Sequence, residues 1–152
     1  MGGTATPDPW NPVVASDGRL AQCAVPEITF DERIASTYDE FSADMFDPAM
    51  VDPAVDVLAD LAGDGRALEL GIGTGRIALP LHERGVEVHG IELSPFMVER
   101  LRDKPGADDI GVTIGDFATT VVDGRFRVAY LVFNTITNLT SQDEQVQCFR
   151  NA

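Results

Sequence analysis

Apolar positions recur at helical spacing in the first third of the chain and in short, strand-like runs after it. From Asp31 onward, Ile34, Tyr38, Phe41 and Met45 fall on one face of an amphipathic helix and are expected to pack. Asp52 and Pro53 read as an N-cap and first helical residue. Val57, Leu58 and Leu61 then form the stripe of a second helix that Gly63 closes. Beyond the Gly63-Asp64-Gly65 turn, apolar runs at Ala67 to Leu70, Val86 to Ile91, Ile110 to Ile114 and Arg127 to Phe133 predict four strands. Helices fall between and after them. One follows Thr74 with Ile77, Ala78 and Leu81. Another is capped by Ser94 and Pro95 and carries Phe96, Met97 and Leu101. A last one opens on a Ser141/Glu144 capping box and carries Val146 and Phe149. Pro80 removes a helix hydrogen bond, so the helix after Thr74 is expected to bend or to start late. Strands alternating with helices predict an α/β architecture built on a parallel sheet.

Residues 1–29 carry Pro7, Pro9, Pro12 and Pro26 with weak periodicity, and read as a mobile arm ahead of one domain over 30–152. With 152 residues, 44% hydrophobic and a mean hydropathy of -0.01, the chain can bury a core. Its net charge of -14 repels a phosphate backbone, so nucleic acid is not an expected partner. No apolar run is long enough to span a bilayer, and no secretory pattern opens the chain. Cys23 and Cys148 lie far apart without CxxC or Cys/His neighbours. That predicts no metal site and fits a reduced, cytoplasmic setting.

The strongest chemical signal is Glu69-Leu70-Gly71-Ile72-Gly73-Thr74-Gly75-Arg76, placed where a predicted strand turns into a predicted helix. Glycines there let the chain turn tightly and bring backbone N–H groups close to a ligand. A structural turn would use glycine as well. Glu92, about twenty residues past Gly71, adds a carboxylate at the end of the second strand, where it can accept from both hydroxyls of a ribose. A dinucleotide fingerprint would need its third glycine at position 76, which is Arg76; Gly75 comes one place early.

That spacing, with Glu69 two residues before Gly71, resembles motif I of class I S-adenosylmethionine-dependent methyltransferases. Gly90-Ile91-Glu92-Leu93-Ser94 with Met97 resembles the family's second-strand motif, Gly115-Asp116-Phe117 the third, and Phe126 to Asn134 the fourth. The similarity runs from about Ala67 to Leu139 and is greatest to bacterial small-molecule enzymes with a Gly-Thr-Gly-Arg turn. It implies a Rossmann-like fold with S-adenosylmethionine as cofactor and a small molecule as methyl acceptor. By that resemblance Gly71, Gly73 and Gly75 line the methionyl part, Glu69 orders its amino group, and Arg76 belongs to the same cofactor site. Glu92 holds the ribose, Asp116 meets the adenine amine, Leu93 and Phe117 flank the base, and Met97 of the second-strand motif belongs to the same cofactor site. Phe133 and Asn134 border the methyl-donor pocket, and Tyr38 closes over the cofactor unless it is simply a core residue. Glu92 departs from the more common aspartate. The family's fold normally carries three further strands beyond a point matching Ala152, so the resemblance implies a fold incomplete at its C-terminus, with self-association through an exposed sheet edge.

Direct attack by an amine needs no base, and His82 and His89 sit in a helix and a strand, so no catalytic residue is assigned. Two other readings stay open. One is a NAD- or flavin-linked oxidoreductase, which shares the strand-turn-helix and the strand-end acid. The other is a catalytically silent module that keeps the cofactor fold.

Overall fold

A computed structural model of the chain describes residues 30–152. The expected arm over residues 1–29, and Cys23 within it, lie outside the described residues. The elements run α1 (Glu32–Phe41), α2 (Pro48–Ala62), β1 (Ala67–Leu70), α3 (Ala78–Glu83), β2 (Val88–Glu92), α4 (Pro95–Arg102), β3 (Gly111–Ile114), β4 (Val128–Tyr130) and α5 (Gln142–Asn151). Short 3₁₀ turns occupy Ala43–Phe46, Ala107–Asp109 and Thr135–Asn138.

All four strands are parallel, in the order β3-β2-β1-β4. Both faces of β1 are buried, which is why its sequence reads as a run rather than an alternation. Ala67, Val88 and Tyr130 face a core shared with Val51, Val55, Leu58, Ile77 and Leu81 of α2 and the α3 region. Leu68, Leu70 and Ile91 face a second core with Phe117, Leu139 and Cys148. The architecture is the Rossmann-like α/β fold expected. The strand order reverses between β1 and β4, and in open α/β sheets that switch point, at the carboxyl ends of the strands, is where ligands bind.

Local chemistry fixes several boundaries as expected. Ser94 accepts from the Met97 amide with Pro95 as first helical residue, and Ser141 and Glu144 close their capping box. The helix after Thr74 starts late, at Ala78, which puts Pro80 in its first turn, where the missing N–H has no helical partner to lose.

Other expectations fail for identifiable reasons. α1 ends at Phe41, and Ser42 leaves helical geometry. Met45 therefore sits in the following 3₁₀ turn, and Phe41 is 89% exposed rather than packed. α2 begins one turn earlier than Asp52-Pro53 suggests. Asp47 caps it by accepting from the Ala49 amide at 2.8 Å, and Pro53 lies inside the helix. The longer helix brings Val51 onto the same face as Val55, Leu58 and Ala62. That face packs on α3, and it leaves Val57 and Leu61 more than half exposed on the other side. In α5 the side chain that packs is Cys148, while Val146 and Phe149 are exposed. β2 starts at Val88 rather than Val86, and β4 stops at Tyr130, before the backbone turns to a positive φ of 57 at Phe133. Asp47→Ala is expected to lower stability by about 1 kcal/mol, the usual cost of an N-cap, read as a fall in the urea midpoint; Asp52→Ala should cost less.

Candidate functional site

The glycine-rich turn leaves β1 at the sheet's carboxyl end. Gly71 and Ile72 both donate to the Ile91 carbonyl, at 2.9 and 3.0 Å, which folds the chain back across the end of β2. Two of its glycines are needed for different reasons. A side chain at Gly71, φ 78, would meet Thr135 Cγ2 at 2.5 Å, while one at Gly75, φ 83, would run into Leu101 of the core. Gly71 therefore keeps the turn open toward β4, and Gly75 lets it pack on α4.

Glu92, at the end of β2, ties the turn down. Its Oε2 accepts from the Gly73 amide at 2.8 Å and its Oε1 from the Ser94 amide at 2.9 Å. Burial raises its pKa against the opposing pull of these backbone bonds. A carboxylate has about four acceptor sites, so two remain for a ligand. Asp116, after β3, accepts from the Ala118 amide through Oδ1 at 2.8 Å. Asn151 of α5 donates to the carbonyls of Phe117 and Thr120 and holds that loop against the sheet.

These segments enclose a cavity of about 320 Å³. Its wall takes Gly71 and Gly73 after β1, Glu92, Leu93, Ser94 and Met97 after β2, Asp116 and Phe117 after β3, and Thr135, Asn138, Leu139, Thr140 and Glu144 after β4. Phe30 and Tyr38 roof it, their rings edge to face with centroids 5.8 Å apart. The structure thus gathers Tyr38, Gly71, Gly73, Glu92, Leu93, Met97, Asp116 and Phe117 of the sequence-derived set around one space.

The remaining five lie off the cavity wall. Gly75 faces the core. Glu69 is 2% exposed and accepts from the Tyr130 hydroxyl at 3.0 Å; burial pushes its pKa up to about 8, against the Tyr130 hydrogen bond and the Arg76 charge. Arg76 donates to the Met45 carbonyl and stands over the Phe133 ring, 5.9 Å from its centroid. Phe133 and Asn134 are exposed beside it. The sequence marks none of Phe30, Thr135, Asn138, Leu139 and Thr140 as site residues, and marks Glu144 only as the capping partner of Ser141. The segment after β4 has no periodicity to mark it; its one signal is position, since it follows a strand at the carboxyl edge of a parallel sheet.

A family model described as "Methyltransferase domain" matches residues 67–152, more than half of the chain. The chain belongs to the class I methyltransferase family. The CcbJ methyltransferase from Streptomyces caelestis is 39% identical to this methyltransferase domain, with a TM-score of 0.69 over 80% of this chain and 51% of that one. A methyltransferase for an amino pentose from Micromonospora echinaspora, solved with S-adenosylmethionine bound, is 25% identical with a TM-score of 0.54, covering 64% of this chain and 41% of its own. A relative named as a probable ribosomal RNA small subunit methyltransferase, from Methanothermobacter thermautotrophicus, is 34% identical over 60% of this chain and 31% of its own length. The methyltransferase domain described here thus spans about half of the first solved structure and about a third of that curated relative. Because an RNA-named relative shares the domain, acidity alone does not exclude an RNA acceptor. Among the described residues, no helix is long and apolar enough to cross a membrane.

The positive φ of Gly71 yields a prediction. Gly71→Ala adds backbone strain and a clash with Thr135, and should cost about 2–4 kcal/mol in urea unfolding. Gly85→Ala, with φ 88 but no atom within 4 Å of the added carbon, carries the strain alone and should cost about 1 kcal/mol.

Proposed function

We propose that the cavity binds S-adenosylmethionine and that the protein transfers its methyl group to a small molecule. The observation that carries this reading is the hydrogen bond from the Gly73 amide to Glu92, which joins the glycine turn to a strand-end carboxylate on one cavity wall. The donor set suits the cofactor. Glu92 has acceptor sites for the ribose hydroxyls, and Asp116 Oδ2 accepts no hydrogen bond among the described residues and suits the adenine amine. Leu93, Met97 and Phe117 offer apolar surface to the base. Gly71 and Gly73 leave room for the methionyl chain, with Tyr38 above it. Thr135, which stands against Gly71, and Asn138, Leu139 and Thr140 beyond it would border the methyl-donor end. Bound there, the cofactor supplies an activated methyl group; the protein's part is to orient it and exclude water.

A small-molecule acceptor is favoured over RNA because Glu92, Asp116 and Glu144 line the cavity on a chain of net charge -14, which raises the cost of approach for a polyanion. The buried Cys148 thiol fits a reducing, cytoplasmic setting. Calorimetric titration with S-adenosylmethionine, S-adenosylhomocysteine and NAD tests the assignment. Selective binding of the first two is expected. Selective NAD binding would replace it with the oxidoreductase reading, and cofactor binding without turnover of any amine or hydroxyl acceptor would favour a silent module. Salt-dependent binding of an RNA hairpin would overturn the small-molecule preference.

A further inference from the structure

The polar cluster behind the glycine turn does not belong to the cavity wall. Asp39 of α1 accepts from the Thr74 hydroxyl through Oδ1 at 2.6 Å and pairs with Lys104 Nζ through Oδ2 at 2.5 Å. The same ammonium donates to the Thr74 carbonyl at 2.7 Å and stands 4.9 Å from the centroid of the Phe46 ring. Thr74, in the middle of the turn, is buried. Asp39 is next in sequence to Tyr38, which roofs the cavity, and the Ser94 hydroxyl holds the other roof residue by donating to the Phe30 carbonyl. One carboxylate therefore joins the helix that bears the roof, the turn that forms the floor, and Lys104, two residues past α4.

We propose that Asp39 is a positioning residue for cofactor retention: by bridging Thr74 and Lys104 it makes α1 and the glycine turn open and close as one unit. This rests on the cofactor assignment above for its functional half and on the hydrogen-bond geometry alone for its mechanical half. If the carboxylate merely satisfied Thr74, loss of its charge would loosen α1 locally and leave the turn and the ligand's residence unchanged. Coupling requires the two to change together.

The test is hydrogen exchange by mass spectrometry on the full chain without ligand, for the parent, Asp39→Asn, Lys104→Met and the double variant, combined with stopped-flow dissociation of S-adenosylhomocysteine. Asp39→Asn keeps the shape and removes the charge. It is expected to speed exchange about tenfold in both α1 and residues 71–75, and to speed ligand dissociation by a similar factor, with association changed less than about twofold. Lys104→Met should act in the same direction, and the double variant should fall well short of the sum of the two single effects, because both lose the Asp39–Lys104 pair while each also loses its own bond to Thr74. Asp39→Glu should restore part of the retention. Faster exchange in α1 with residues 71–75 unchanged, or simple addition of the two single effects, would overturn the proposal. Failure of the parent chain to bind S-adenosylhomocysteine would instead overturn the cofactor assignment and the retention role with it, while the exchange data still decide the coupling.

Discussion

Glu92→Ala is expected to weaken S-adenosylhomocysteine binding by at least about 100-fold. Hydrogen bonds to an ionised group contribute about 1.5–3 kcal/mol each, and a ribose offers two hydroxyls to this carboxylate. The variant also strips the Gly73 and Ser94 amides of their partner, so part of the loss comes from a slackened turn. Glu92→Gln removes the charge without the truncation. Its single amide oxygen can satisfy one of those N–H groups, but its NH₂ would face the other donor, so the floor is still disturbed while the side-chain volume is kept. Glu92→Asp keeps the charge and shortens the reach, and should fall between the parent and Gln. Calorimetry reads the affinities, and urea unfolding of the same variants reads the share due to the turn. A change of less than about threefold in Glu92→Ala would remove the ribose role and leave Glu92 as a structural tie for the glycine turn.

Much of this site was legible because its signals are local. Gly71, Gly73 and Gly75 mark a turn by composition, Glu92 marks a strand end by its spacing from that turn, and Ser94-Pro95 marks a helix start by its capping chemistry. The illegible parts depend on contacts distant in sequence. Two Asp-Pro pairs compete to open α2, and only the burial of Val51 on α3's side selects Asp47-Pro48. The face of α5 that packs is chosen by the second core, which takes Cys148 in preference to the larger Val146 and Phe149. The residues after β4 enter the cavity because β4 lies beside β1, a pairing no periodicity announces. Glu69 shows the same division. Its place in the motif is visible in sequence, but its engagement by Tyr130, across the β1–β4 pair, is visible only once the two strands are in register at Glu69 and Tyr130.

The buried Glu69 should make stability fall as pH rises. Its pKa goes from 4.5 to about 8 on folding, chiefly through desolvation, so above about pH 4.5 the folded chain keeps a proton that the unfolded chain releases. The stabilisation this gives is fully present below the unfolded pKa and is lost as pH rises through the folded one. Between about pH 5 and about pH 8 the loss should be on the order of 4 kcal/mol, at about 1.4 kcal/mol per pH unit. Urea unfolding across that range is expected to show the decline in the parent chain and to lose most of it in Glu69→Gln, whose amide never ionises. Matching slopes in the two proteins would show that Glu69 titrates outside this window. Near pH 7 the folded carboxyl is then largely neutral, which bears on its expected part in ordering an amino group. Calorimetry of S-adenosylhomocysteine binding at pH 7 in two buffers of different ionisation enthalpy divides the roles. A proton released on binding marks a Glu69 that ionises against the ligand's ammonium; no release marks a neutral buttress beneath the glycine turn, held by Tyr130.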